Sequence, residues 1–352
     1  MLRMAPFVLV FLPVVTAVAG LVLGGAWTWA TFGLIFGLVP LLDHVLGESR
    51  HNPEPGETSR LAYWGYRLVS WLVAPALIAL TLAAAWSVSH QAWATWELAG
   101  LVVSVGIVSG GLGITAAHEL IHKTGAFERF LGQALLWNAC YMHFYIEHLV
   151  GHHSRVATPE DPASARYGET LWGFLPRSVV GSWLSAWGLE AARLARAGHG
   201  VWSLRNRMLA YGALPLAGAG LLAAAWGPVA GAFFLGQGVL AFLLLEAVNY
   251  VEHYGLERRA LPNGRFERVT DAHSWASGLR LSNWLTLHLQ RHADHHTHPA
   301  RRYEELRFSP DSPVLPSGYP GMLWLAMVPP LWRRVMHPRV EAVRVRAGVN
   351  EA

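Results

Sequence analysis

Cysteine is nearly missing from this sequence: Cys140 is the single one in 352 residues. One thiol can form no internal disulfide, no iron–sulfur cluster and no four-cysteine iron or zinc site. Charge is scarce as well. Asp, Glu, Lys and Arg make up 14% of the chain, against about 25% in a soluble domain, and the mean hydropathy is +0.29. That deficit argues against a water-soluble domain and points to lipid as solvent. Lysine is reduced to Lys123 among 27 basic residues, a compositional bias to which no mechanism is attached. No G-x-G-x-x-G turn follows a strand, so no flavin or nicotinamide site is expected. There is no internal repeat or low-complexity tract, and nothing suggests a nucleic-acid partner. Length alone would allow two soluble domains, but membrane chains do not follow that rule. Residues 1–352 are read as one membrane domain.

Apolar residues are abundant, at 53%, and so is Trp, with 17 copies; Trp favours membrane–water interfaces. A span needs about 20 apolar residues. Six stretches qualify: Pro6–Leu23, Trp27–Leu46, Leu68–Val88, Leu98–Ala117, Leu209–Trp226 and Val229–Val248. Three connections are short, at Gly24-Gly25, Val88–Glu97 and Trp226-Gly227-Pro228, and none holds a basic residue. All 27 basic residues fall at Arg3, in the 47–67 connection, in 123–207 or in 251–352. The positive-inside rule then places both termini and both long segments in the cytoplasm, which for a bacterial chain means the inner membrane. A different reading makes residues 1–20 a cleaved signal peptide, because Arg3, an apolar run and Ala17-Val18-Ala19 fit one. The next span follows after only a tight turn, which weighs against it. Weaker apolar stretches at Leu131–Ile146 and Gly321–Trp332 are expected as helices on, or dipping into, the cytoplasmic face. The expected fold is all-α: six transmembrane helices under a helical cytoplasmic cap.

Of 18 His, only His90 falls on the outer side. The rest concentrate where spans meet the cytoplasm. His118-Glu119-Leu120-Ile121-His122 ends span four, and Asn249-Tyr250-Val251-Glu252-His253 ends span six. Glu147-His148-Leu149-Val150-Gly151-His152-His153 follows the first weak helix, and His292-Ala293-Asp294-His295-His296 lies in the tail. Residues at i and i+4 share a helix face, which pairs His118 with His122, His148 with His152, and Asn249 with His253. Neutral imidazole is the commonest metal ligand. Each cluster also carries a carboxylate, Glu119, Glu147, Glu252 or Asp294, of the kind that supports ligating His from behind. One metal takes four to six ligands, so nine imidazoles suit two metals. Imidazole serves Zn, Cu, Fe or Ni and does not choose among them.

Two other classes compete. His118-Glu119-Leu120-Ile121-His122 satisfies the H-E-x-x-H pattern of zinc peptidases, whose Glu is general base, but a membrane zinc protease leaves seven His without a role. A metal transporter would carry ligands near the bilayer midplane, whereas here Glu246 is the only acid well inside a span.

The clusters resemble those of the membrane alkane 1-monooxygenases, within the wider group of histidine-rich di-iron desaturases and hydroxylases. The group's three boxes read here as His118-Glu-Leu-Ile-His122, His148-Leu-Val-Gly-His152-His153 and His292-Ala-Asp-His295-His296. The narrower alkane-hydroxylase signature is similar to Asn249-Tyr-Val-Glu-His253-Tyr-Gly-Leu256 and Leu289-Gln-Arg-His292-Ala-Asp-His295-His296. Ala157-Thr-Pro-Glu-Asp-Pro162, Trp187-Gly-Leu-Glu190 and Leu315-Pro-Ser-Gly-Tyr-Pro-Gly321 also look familial. The likeness runs from about residue 40 to 338. Sibling xylene-type hydroxylases share the boxes, and Glu246 departs from the alkane pattern, where a neutral residue is expected.

The resemblance implies two irons, O2 as co-substrate and terminal hydroxylation of medium-chain alkanes to 1-alkanols. It also implies electrons from a rubredoxin, itself reduced by a flavoprotein rubredoxin reductase. The implied ligands are His118, His122, His148, His152, His153, His253, His292, His295 and His296, with no catalytic residue beyond them. Asn249 stands where related desaturases hold a water against one iron. Glu119, Glu147, Glu252, Asp294 and Glu246 are expected to support the ligands. His143, His273, His288 and His298 are read as supporting or surface residues. An apolar substrate dissolves in lipid, so a pocket is expected among the inward span faces, lined by Ile114 and Thr115 beneath His118. Trp29, Phe32 or Phe36 would stop it. Gly111 shares the His118 face and Gly110 and Gly113 leave room nearby, although close helix packing is the favoured role of these glycines.

Overall fold

The computed structural model describes residues 4–54 and 59–346, so Arg3 of the basic tip lies outside the described residues. Among them the fold is helical throughout, with three isolated bridges and no strand. Six helices are long and apolar enough to cross a membrane: α1 (Ala5–Leu23), α2 (Gly25–Leu46), α3 (Arg60–His90), α4 (Thr95–Ile121), α8 (Arg207–Trp226) and α9 (Pro228–His253). Between α4 and α8 lie α5 (Ala126–Asn138), α6 (residues 144–155) and α7 (Leu171–Arg196). After α9 come α10 (Arg280–Leu285), α11 (His292–Thr297), α12 (Tyr319–Ala326) and α13 (Pro329–Arg346).

Local chemistry fixes the boundaries. The α1–α2 hairpin turns on Gly24 and Gly25, both at positive φ, where a side chain would strain the backbone. The Glu97 carboxylate accepts from Gly25 N at 2.6 Å and from Ala94 N at 2.8 Å, which pins the start of α4 to that turn. Ser59 caps α3 through Ala62 N, Thr170 caps α7 through Gly173 N, and Asn206 caps α8 through Met208 N. Pro228 opens α9 after Gly227 at positive φ. At the other end α1 is anchored by aromatic packing: Phe7 meets Tyr66, His288 and Tyr303 edge-on.

The expected spans are recovered, and on one side the helices run past the apolar stretch. α4 continues to Ile121 and carries His118; α9 continues to His253. This overrun places both histidines at the end of the bundle. The weak stretches differ from expectation. Leu131–Ile146 is not one helix: α5 ends at Asn138, Cys140 adopts φ 54°, and α6 starts at Phe144. Gly321–Trp332 breaks after Ala326 because Pro329 and Pro330 lack the N–H that would continue α12. The 26-residue α7 was not expected as an element.

Helix spacing depends on small residues, as it does in membranes generally. A Cβ on Gly110 would lie 2.6 Å from the Ala241 carbonyl oxygen of α9, whereas one on Gly111, the next residue, would meet nothing within 4 Å. Gly110→Val is therefore expected to destabilise the protein by about 1–3 kcal/mol through overpacking, while Gly111→Ala, with open space for its Cβ, costs nothing and gains up to about 1 kcal/mol of helix propensity. Thermal unfolding of both variants in one detergent checks this. Equal melting temperatures would mean that Gly110 does not set the α4–α9 distance.

Candidate metal centre

Four helical segments bring the nine histidines together. α4 supplies His118 and His122, α6 supplies His148, His152 and His153, α9 supplies His253, and α11 supplies His292, His295 and His296. Their ring nitrogens form two groups: His118, His122, His148, His153 and His295, and separately His152, His253, His292 and His296. Within a group the candidate ligand atoms all lie within 4.8 Å of one another. In the first, Nε2 of His148 is 3.0 Å from that of His122 and 3.1 Å from that of His153, which is 3.1 Å from His295. In the second, His292 Nε2 is 3.2 Å from His253 and 2.9 Å from His296, and His152 is 3.2 Å from His296. Two nitrogens each about 2.1 Å from one metal and at right angles are about 3 Å apart. Nε2 of His148, of His153, of His292 and of His296 each meets two other ring nitrogens, more than one N–H or one lone pair can serve, and such convergence suits a shared metal. His118 Nε2 is buried without any partner, an orphan that a metal ion would satisfy.

The split follows from backbone geometry. Residues 147–152 form a π-turn, whose hydrogen bonds run i to i+5. His148 and His153 therefore share a side, and His152 is turned towards the other group. On the α-helical α11, His292 and His296 are four apart and face one group, while His295 points to the first. The rings interleave at the boundary, with His153 and His296 centroids 4.6 Å apart.

Electrostatics favour the neutral, ligating form. Burial, reinforced by repulsion from neighbouring imidazoles, pushes His122, His148, His153, His292, His295 and His296 well below the usual histidine range.

The expected supporting residues take varied positions. Glu252 lies closest to the centre: one oxygen is 3.3 Å from His292 Nε2 and the other accepts from Tyr319 Oη. Glu246 is buried and accepts from Tyr141 Oη at 2.6 Å, from Ser178 and from Asn249 Nδ2 at 3.3 Å. Three acids turn away from the rings and pair with cations: Glu119 with Lys123 at 3.0 Å, Glu147 with Arg155 at 2.7 Å, and Asp294 with Arg301. Asp161 was missed. Its Oδ2 meets His152 Nδ1 at 2.9 Å and also accepts from Ser164 Oγ at 2.6 Å. It lies nine residues beyond the ring it orients, inside the familial 157–162 stretch, which was the only signal for it. Of the remaining histidines, His298 is 3.2 Å from Asp294, His273 is 3.4 Å from Glu267, and His288 Nδ1 is 3.1 Å from the Tyr303 carbonyl. His143 is buried against Tyr141 and Trp183.

A cavity leads from the centre into the bundle. His118, His148, His292, Asn249 and Glu252 line its polar end. Ile107, Gly110, Gly111, Ile114 and Thr115 of α4 face Ile35, Phe36 and Val39 of α2 and Leu244 and Val248 of α9 along the rest. Ile107 to His118 spans eleven residues, about 16 Å of helix. Three π-turns border it, at Gly33–Leu38, Val108–Gly113 and Glu147–His152; such turns re-aim side chains at functional sites. Of the residues named for a pocket, Ile114, Thr115 and Phe36 line this cavity, and Trp29 and Phe32 lie outside its lining. Trp29 Nε1 donates to the Trp96 carbonyl at 3.1 Å, towards the outer end, and Phe32 packs against Phe36 and Trp324.

Comparison with known proteins adds an independent finding. A family model described as fatty acid desaturase matches residues 92–326. Alkane 1-monooxygenase 2 of Pseudomonas aeruginosa is 47% identical over 323 residues, covering 90% of this chain and 85% of the relative. Alkane 1-monooxygenase 1 of Alcanivorax borkumensis is 41% identical, covering 96% and 86%. The xylene/toluene monooxygenase hydroxylase component of Pseudomonas putida is more distant, at 29% over 91% and 85%.

If Asp161 holds the His152 ring, Asp161→Asn should weaken metal retention about 10- to 100-fold, the usual effect of losing such a partner. Metal content after dialysis against graded chelator measures it. Retention equal to that of the unaltered protein would leave the 2.9 Å contact without function.

Proposed function

The chain belongs to the membrane alkane 1-monooxygenases of the fatty acid desaturase family, and from that premise we propose that it converts medium-chain alkanes to 1-alkanols at two irons held by its nine clustered histidines. The five-histidine group would hold one iron and the four-histidine group the other. When bound, the irons supply the O2-activating redox chemistry that a terminal C–H bond, with no polar handle, requires.

The observation that carries this reading is the apolar cavity whose polar end is formed by His118, His148 and His292. Aliphatic side chains hold an extended chain along α4 and keep water from it. Asn249 and Glu252 are the polar groups beside the ligands at that end. Asn249 donates its amide to Glu246. The length of the cavity suits a medium-chain substrate. At Gly111 the wall is bare, so a side chain there would occupy substrate space.

The electron route follows from exposure. Of the nine histidines only His122 and His153 reach the surface, and both belong to the five-histidine group. Thr124, Val150 and Ser154 are exposed beside them. With no cysteine pair and no nucleotide turn of its own, the chain takes electrons from a separate carrier, for which rubredoxin with its flavoprotein reductase is our assignment. The chain carries a net charge of +4, and the positive-inside rule puts the ligand-bearing face in the cytoplasm of an inner-membrane protein. An acidic carrier is steered to such a face, and added salt weakens the attraction.

Two outcomes are expected. Purified enzyme with an n-alkane, O2 and NADH should turn over only after rubredoxin and its reductase are added, and higher ionic strength should raise the KM for rubredoxin more than it changes the alkane dependence. Steady turnover on NADH without a second protein would sink the electron assignment. Gly111→Leu should shift the product profile, read by gas chromatography across an alkane series, towards shorter chains. An unchanged profile would place the substrate outside this cavity.

A further inference from the structure

The inside-out pattern of α7 has no place in the reading above. Along its 26 residues the positions turned to the outside are Trp172, Gly173, Pro176, Val180, Leu184, Gly188 and Ala192, before Ala195 and Arg196 at the end. Apart from Gly173 they repeat every four residues, so they form one stripe, and none of those up to Ala192 carries charge. The opposite, buried stripe holds the polar residues: it reads Phe174, Ser178, Ser182, Ala186, Glu190 and Leu194. A helix in water shows the reverse arrangement. Val180 and Leu184 are more than half exposed, at 57% and 64%, with no protein over them.

We propose that α7 lies in the lipid leaflet on the histidine-bearing side, with this stripe against acyl chains, as a membrane-embedded helix that does not cross. Three observations fix lipid as the occupant. The first is depth. Ser178 donates to Glu246, seven residues or about 10 Å of helix below the end of α9 at His253, and the Trp183 ring lies 3.2 Å from where a Cβ on Gly212 would be, a turn and more into α8. The buried face is thus docked against spans below their ends. The second is continuity. Trp172 Nε1 donates to the Met327 carbonyl at 3.3 Å, joining the stripe to exposed Trp324, Met327, Val328 and Leu331 around the α12–α13 junction. The third is the change of chemistry at the C-terminal end. Arg193 pairs with Glu190, Arg207 in turn binds Glu190 at 2.6 Å, and Arg196 is exposed. Basic residues there suit the headgroup level, the arrangement of interfacial helices. The polar inner stripe is then accounted for: with lipid outside, Ser178 finds Glu246 inward, and Glu190 holds the arginines at the C-terminal end.

The test uses full-length protein in native membrane vesicles, with Cys140→Ala as background and single cysteines at Val180→Cys, Leu184→Cys, Glu257→Cys and Leu216→Cys. Glu257 is exposed in a polar loop after α9, and Leu216 is 64% exposed on span α8. A charged, impermeant maleimide is applied to vesicles in which Glu257→Cys labels. The 180 and 184 variants should label at least tenfold more slowly than 257 and as slowly as 216. Bimane attached at 180 or 184 should be quenched by brominated acyl chains after reconstitution. Labelling as fast as 257 would put the stripe in water. Slow labelling without quenching would mean that protein covers it. Either result overturns the proposal.

Discussion

Nine imidazoles can share one buried space only if almost none of them is protonated, and that constraint organises the rest of the molecule. In water a cluster of this density would relieve itself by taking up protons and spreading apart. Here burial withdraws the solvation a charged ring needs, and each neighbour adds repulsion against charging. For His122, His148, His153, His292, His295 and His296 both effects favour the neutral ring, and the nine ring nitrogens gather in two groups. A metal bound there would compete with protons for the same nitrogens.

That concentration of ligands needs a rigid frame, which the membrane bundle provides. α4 and α9 outlast their apolar stretches by about a turn, and the overrun bears His118 and His253. Gly110 lets the two helices approach to backbone contact, while Gly111 beside it keeps the space beneath His118 open. The same pair of adjacent glycines thus serves packing on one side and the cavity on the other. The polar centre and the apolar cavity meet at the histidine-bearing ends of α4 and α9.

Much of this was legible in the sequence. Apolar runs of about 20 residues mark the six long helices, and histidine boxes are dense enough to stand out from scattered surface histidines. The division of ligands was not legible. Spacing pairs His148 with His152, but the π-turn at 147–152 pairs His148 with His153 instead, and no local residue preference announces a π-turn. Asp161 was hidden because it reaches His152 across a loop. Trp29 and Phe32 looked suited to closing the pocket by helix position alone, yet their rings are taken up by Trp96 and by Trp324. α7 was passed over because its polar residues face inward, which disguises a long helix as a polar connection.

The central claim is that the nine histidines form two iron sites, five ligands to one and four to the other. Elemental analysis of purified, catalytically active protein tests it most directly. The account predicts two irons per chain with little zinc. One zinc per chain, together with peptide-cleaving activity lost in His118→Ala, would contradict it and return the H-E-x-x-H reading to the front.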